Sequence, residues 1–250
     1  MQPNKKIVIV GATSAIAEQC ARLWAVQNPA EIVLIGRNQD KLKQISSDLA
    51  VRAPQTKITI IQTNFTDLTA IQSVIDQVCQ AGAVDIALIA HGTLPVQADC
   101  QNNLEMAQDA LNINGISPVL FAEVFASHMQ KQNTGTLAII GSVAGDRGRK
   151  SNYIYGAAKG LVTRYAQGLQ HRLAKTNVKV VLIKPGPTDT PMTAQLKQTG
   201  AKLASSEDVA KDIVAGIEQG RGVVYTPKIW CLIMLIIRHL PFFIFKHMDI

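Results

Sequence analysis

The sequence predicts an α/β fold: one domain built on a doubly wound, seven-stranded parallel sheet, followed by an apolar C-terminal tail. Three observations carry this expectation. Short, continuous runs of Val, Ile and Leu recur seven times, and each is too uniformly apolar to have a solvent face, as in strands covered on both sides. Stretches of helical length and pattern separate them, which suits right-handed crossovers between parallel neighbours. The chain has 250 residues, 47% of them apolar, enough for one sizeable core.

The elements follow in order. "KKIVIVG" reads as the first strand, with a helix over 14–27 that ends at "QNP". "EIVLIG" is the second strand, followed by a helical pattern over 39–52. "KITIIQ" is the third, with a helix over 68–81, and "VDIALIA" is the fourth. One long helix is expected over 102–131. "GTLAIIG" is the fifth strand, with a helix over 153–175. "VKVVLIKPG" is the sixth, with a helix over 206–219, and "GVVYTP" is the seventh. The composition changes only at the end. Residues 1–227 therefore form the expected catalytic domain, and 228–250 an apolar extension.

The formal net charge of +7 admits nucleic acid, anionic lipid or an anionic ligand as partner. A basic helix or an aromatic–basic stripe is missing, which argues against nucleic acid. Cys20, Cys79, Cys100 and Cys231 are widely spaced, which points away from a metal site or a disulfide framework. A reducing, cytoplasmic setting and no signal peptide are the matching expectations.

"GATSAIA" (11–17) follows the first strand, where a phosphate-cradling loop would lie. A strand, a tight turn and a helix N-terminus aim free N–H groups and the positive helix end at an anion. Such loops use three glycines. Here Gly11 keeps the turn, and Ala15 and Ala17 add one methyl each at the helix start. Taken alone, the loop reads equally as a strand–helix turn with small packing residues. A second constellation lies in "GSVAGDRGRKSNYIYGAAKG". Tyr155 and Lys159, at i and i+4, share a helix face. An ammonium beside a phenol lowers its pKa and makes it a usable proton donor and acceptor. Ser142 ends the fifth strand, at the carboxyl edge where such sheets bind ligands. Tyr153 has no lysine four residues on.

With "GATSAIA", "LNING", Ser142 spaced from "YGAAK", and "KPGPTDTPM", residues 5 to about 227 resemble the short-chain dehydrogenase/reductase family. The resemblance implies a Rossmann-type domain, a nicotinamide cofactor, and a homodimer or homotetramer. Tyr155 matches the catalytic acid/base. Lys159 matches the residue that holds the nicotinamide ribose and tunes that tyrosine, and Ser142 the serine that polarises the carbonyl. Asn112 matches the asparagine of a proton relay: Asn114 competes, and the N-x-x-G spacing selects Asn112. The cofactor would run along Gly11, Thr13, Ser14, Ala15 and Ile16, past Asn64 and Phe65, then Ala90 and Gly92. Pro185 and Gly186 match the turn after the sixth strand, and Thr188 and Thr190 the contacts to carboxamide and phosphates. Two departures stand out: the alanines of the first loop, and "IAHG" where the family has Asn-Asn-Ala-Gly. His91 is expected to be structural. With the apolar tail, these departures resemble reductases of lipid-linked keto-sugars of the decaprenylphosphoryl ketoribose type.

An NAD site usually places an acid after the second strand. That strand ends "LIGRN", with Arg37 where a 2′-phosphate would lie and Ser14 and Asn38 able to add hydrogen bonds. The reading favours NADP(H) over NAD(H). Its competitor makes Arg37 an exposed charge and Asn38 a helix N-cap. The leading expectation is a carbonyl reductase or alcohol dehydrogenase, against an idle nicotinamide-binding sensor or scaffold. In the tail, the run 229–237 is too short to span a bilayer. Lys228, Arg238, Lys246, Trp230 and "FFIF" suit peripheral contact with a membrane surface, and burial against the domain or a second subunit suits the same residues.

Overall fold

The computed structural model describes residues 5–198 and 200–248. Seven strands form one sheet: β1 (Lys6–Val10), β2 (Glu31–Gly36), β3 (Lys57–Gln62), β4 (Ile86–Ile89), β5 (Thr136–Ile140), β6 (Lys179–Pro185) and β7 (Val223–Thr226). The order is β3-β2-β1-β4-β5-β6-β7, and every pairing is parallel. The chain winds outward from β1 to β3, then returns to β4 on the other side of β1. The crevice between β1 and β4, at the carboxyl ends, is therefore a topological switch point, where open α/β sheets bind ligands.

Alternation along the strands divides the core in two. Val8, Val33 and Ala87, in register on β1, β2 and β4, face one side. There they meet α3 (Leu68–Gln80), α6 (Ser117–Gln132) and α7 (Tyr153–Arg172), with Phe121 and Phe125 of α6 fully buried. Ile9, Leu34 and Leu88 face the other side. They are covered by α1 (Ala15–Ala25), α2 (Gln39–Arg52) and α9 (Ser206–Glu218), with Trp24 of α1 buried among them.

The expected long helix over 102–131 is present as 104–132, running through a π-helical turn. A short α4 (Gln97–Asn102) ends at Asn103, whose backbone is extended and whose side chain accepts from Met106 N to cap α5 (Leu104–Leu111). A π-helical turn, Asn112–Ile116, then joins α5 to α6. Asparagine satisfies an orphan N–H at a helix start better than it propagates a helix, which explains why the long helix begins at Leu104 and is separate from α4. The joined helix 104–132 is long and apolar enough to cross a bilayer, but it lies largely in the core.

After Ser142 a 3-10 turn (Val143–Gly145) leads toward α7. Another 3-10 turn (Pro191–Thr193) and α8 (Ala194–Gln198) follow β6. The tail forms α10 (Ile229–His239) and α11 (Phe242–Phe245). Its inner side is seated on the domain. Met234 is buried, and a Cβ at Gly186 would lie 2.0 Å from Trp230 Nε1. The Arg147 guanidinium donates to the carbonyls of Ile237 and Leu240 and stands 3.8 Å from the Phe245 ring centroid. The neighbouring Asp146 is buried against Lys184 and accepts from the Tyr225 hydroxyl at 2.7 Å.

Candidate active site

Two close backbone approaches seat α7. A Cβ at Gly145 would lie 2.5 Å from Lys159 O, and one at Gly115 would lie 3.2 Å from Ala158 Cα. The 3-10 turn and the π-helical turn therefore both rest directly on α7. This brings Ser142 to the face that carries Tyr155 and Lys159. The Ser142 hydroxyl lies beside the Tyr155 phenol, where it favours the phenolate, and it accepts from Ala144 N at 3.1 Å. Lys159 is 3% exposed, and its ammonium donates to Ile140 O at 3.0 Å. Burial lowers its pKa to about 8.

Tyr155 differs from the sequence expectation. Burial raises its pKa, and the Ser142 hydroxyl only partly offsets this. Lys159 Nζ is 5.8 Å from the Tyr155 ring centroid and is engaged by Ile140 O. In this arrangement desolvation of the phenolate outweighs the ammonium's attraction.

Asn112 is also corrected. The π-helical turn directs Asn114, not Asn112, at the loop after β4. Asn114 is fully buried; its Oδ1 accepts from Thr93 N at 2.8 Å and its amide donates to Ala110 O at 2.9 Å. A Cβ at Gly92 would meet Asn114 Oδ1 at 2.8 Å and Lys159 Nζ at 3.7 Å. Asn112, two residues earlier, is only partly buried. The N-x-x-G spacing misleads because Gly115 serves the packing on Ala158, not the register of the asparagine.

The first loop has the form of an anion cradle. Gly11 adopts φ +79°, and a Cβ there would lie 2.6 Å from His91 N, so the fold itself demands glycine. Helix α1 starts at Ala15, and Ser14 at its N-cap makes no side-chain cap hydrogen bond. The first-turn N–H groups thus have no side-chain acceptor. Both alanines lie in the helix, and Ala17 is fully buried in the core. Uncapped N–H groups, a left-handed Gly11 and the crevice above β1 and β4 fit the pyrophosphate of a dinucleotide.

One cleft gathers much of the expected set. Ser14 and Ile16 line it from the first loop, and Ala90 and Gly92 from the loop after β4. Ser142, Tyr155 and Lys159 form its floor, and Pro185, Gly186, Thr188 and Thr190 its far wall. The Thr188 hydroxyl donates to Gly186 O at 3.0 Å, and Thr190 caps the following turn in a capping box with Thr193. Thr13 and Ala15 line a neighbouring groove with Lys41 and Pro191. The sequence singled out neither Arg149 nor Asn152, which also line the cleft, nor the apolar Leu94 and Met192. No motif marks these four positions.

At the other end of the crevice, Arg37 is exposed with its guanidinium 5.8 Å from the Phe65 ring centroid. Asn38 caps α2 by accepting from Lys41 N. Asn64 accepts from Thr66 N and from its hydroxyl, closing a local turn. Phe65 is 2% exposed and packs on His91 and Phe121 at centroid distances of 4.6 and 5.4 Å. His91, buried, shares a hydrogen bond with the Ser117 hydroxyl at 2.8 Å. Burial lowers its pKa to about 3, assisted by the positive charges of Lys159 and Arg37.

A family profile described as short chain dehydrogenase matches residues 5–201. An uncharacterized oxidoreductase of Staphylococcus aureus is 31% identical over 221 residues, covering 88% of this chain and 94% of the relative. One of Staphylococcus epidermidis is 30% identical over 217 residues, covering 86% and 92%. Among solved structures, a short-chain dehydrogenase from Sphingobium yanoikuyae in complex with NADPH superposes with a TM-score of 0.81. It shares 19% identity and covers 95% of this chain and 97% of that one. A variant of the actinorhodin polyketide ketoreductase with NADPH gives 0.81 at 18% identity, covering 90% and 97%.

The buried, neutral His91 has a consequence for acid stability. Its folded pKa lies below the unfolded value, so the unfolded chain takes up the proton first and stability falls as pH drops below about 6.5. The loss from this residue is roughly 1.4 kcal/mol per pH unit between there and pH 3. Urea unfolding at pH 7.5 and pH 5 should show His91→Gln losing about 2 kcal/mol less than the parent protein. Equal losses would show that His91 is protonated in the folded chain.

Proposed function

The chain belongs to the short-chain dehydrogenase/reductase family, and we propose that within it the protein reduces a ketone to a secondary alcohol with NADP(H). Family membership makes it an NAD(P)-dependent oxidoreductase. One observation carries the finer reading: Ser142, Tyr155 and a buried Lys159 line one cleft at the carboxyl edge of the sheet.

The nicotinamide, when bound, supplies the hydride. The residues suited to hold the cofactor are the N–H groups that open α1, Thr188 and Thr190, and Lys159. Ser142 holds the substrate's carbonyl oxygen beside Tyr155, and the phenol gives that oxygen its proton. Burial keeps the phenol protonated, which favours the direction in which Tyr155 donates. Lys159 stabilises the phenolate that remains, and Asn114 fixes the loop after β4 that faces it. Replacing Tyr155 with Phe removes only the hydroxyl. Tyr155→Phe should abolish turnover on a panel of ketones while NADPH still binds by fluorescence titration, and near-normal kcat would sink the assignment.

NADP(H) is favoured because β2 ends without a following acid and Arg37 stands exposed at that end of the crevice. The NADPH complexes of two like folds are consistent with this choice. Arg37→Ala should weaken NADPH binding roughly 10- to 150-fold, the range for a hydrogen bond to a charged group, and leave NADH nearly unchanged. Equal loss for both cofactors would refute the preference.

For residues 228–250 we propose a peripheral contact with anionic lipid, suited to a lipid-linked substrate. The outer side of α10 and α11 exposes Leu232, Ile236, Phe242 and Phe243, the last two at 74% and 67%. Lys228, Arg238 and Lys246 are exposed around them, with no acidic residue between 228 and 248. Cations around an apolar face suit a charged interface. Leu232→Ser combined with Phe243→Ser should stop the protein sedimenting with phosphatidylglycerol vesicles. If the parent protein ignores vesicles and the variant instead loses an oligomer, the face is an assembly surface.

A further inference from the structure

Arg149 reaches the cleft from the segment between the Ser142 turn and α7. Its Nε is buried without a hydrogen-bond partner, and burial alone acts on its charge, disfavouring it. Other arginines are satisfied, both the half-buried Arg147 and Arg22 and the exposed Arg52 and Arg172. Arg147 holds two carbonyls of the tail, Arg22 and Arg52 share Asp48, and Arg172 pairs with Glu123. Asn152 lines the same wall. Its Oδ1 is likewise buried without a partner, and its side chain does not cap α7. None of the residues that line the cleft is an aspartate or glutamate, and the lining includes the apolar Leu94, Val143 and Met192.

A guanidinium cannot shed its proton, and taking it out of water is costly unless an anion meets it. Its planar fork of donors matches the paired oxygens of a carboxylate or phosphate. The cofactor's phosphates have their own cradle at the start of α1, whereas Arg149 precedes Tyr155 by only six residues. We propose that Arg149 and Asn152 form a subsite for an anionic group carried by the substrate, so that the protein acts on a ketone bearing a carboxylate or a phosphate. This assignment rests on the oxidoreductase reading above. Arg149 supplies the charge and the paired N–H donors, and Asn152 completes the polar wall beside it. The group being reduced then sits at a fixed distance from the anion, over Ser142 and Tyr155.

Two matched pairs of probes test this: acetoacetate with ethyl acetoacetate, and dihydroxyacetone phosphate with dihydroxyacetone. Each is assayed with NADPH and titrated as a stabiliser of NADP+-loaded protein in thermal unfolding. The parent protein should prefer the charged member of at least one pair, and which pair it prefers separates carboxylate from phosphate. Arg149→Gln should raise the KM, and the half-saturating concentration, of that probe roughly 10- to 100-fold. The neutral partner, kcat and the NADPH dissociation constant should stay nearly unchanged, and Arg149→Lys should recover part of the loss. Three results would overturn the subsite: no preference for a charged probe, equal loss on both members of a pair, or loss of NADPH affinity. If a charged probe stabilises the parent but not Arg149→Gln, and no ketone is reduced, the subsite stands and the oxidoreductase reading falls.

Discussion

The site depends on how closely other backbone comes to α7. The turn after Ser142 touches this helix at Lys159 through Gly145, which has no room for a side chain, and the π-helical turn touches it closely at Ala158 through Gly115. The helix answers with its own small residues, Gly156, Ala158 and Gly160. A larger group at Gly145 would drive the turn outward, and Ser142 would leave the Tyr155 hydroxyl. Short polar side chains such as these cannot span a gap, so their mutual geometry is set by backbone packing. The sheet contributes the rest by ending β1, β4, β5 and β6 at one edge.

Burial then decides the charge of each group. His91 is held neutral, Tyr155 is held protonated, and the Lys159 ammonium is left with a weakened hold on its proton. In each case desolvation is the largest cause. The cleft contains cations and no carboxylate, so its uncompensated potential is positive. Such a site is electrostatically incomplete without an anionic ligand, and binding one returns part of the desolvation cost. The phenol and the ammonium thus depend on what fills the cleft as well as on each other.

Much of the fold was legible because seven apolar runs leave few alternatives to a parallel sheet. Gly11, Ser142, Tyr155 and Lys159 lie where their motifs place them because they hold fixed positions at strand ends or along one helix. The long helix starts at Leu104 because the Asn103 side chain caps it there. The N-x-x-G spacing selects Asn112, but Gly115 serves the packing on Ala158, and Asn114 is the asparagine that meets the loop after β4. Asn38 takes the N-cap role that competed with a ligand contact, and the Phe65 side chain lies in the core. Arg149 and Asn152 lie in a loop with no period, so only the folded chain shows that they face the reacting groups.

The seat of the tail has one further consequence. Trp230 rests on Gly186, in the wall of the cleft, and Arg147 grips α10 from the same loop that carries Ser142. The tail is therefore not an appendage hanging from the last strand; its resting position is part of the cleft's architecture. Any event that lifts α10 withdraws support from both walls, and any ligand that tightens those walls holds α10 down. Thermodynamic linkage makes the two effects equal in size: whatever factor a partner of the tail applies to affinity in the cleft, a ligand in the cleft applies to the tail's affinity for that partner.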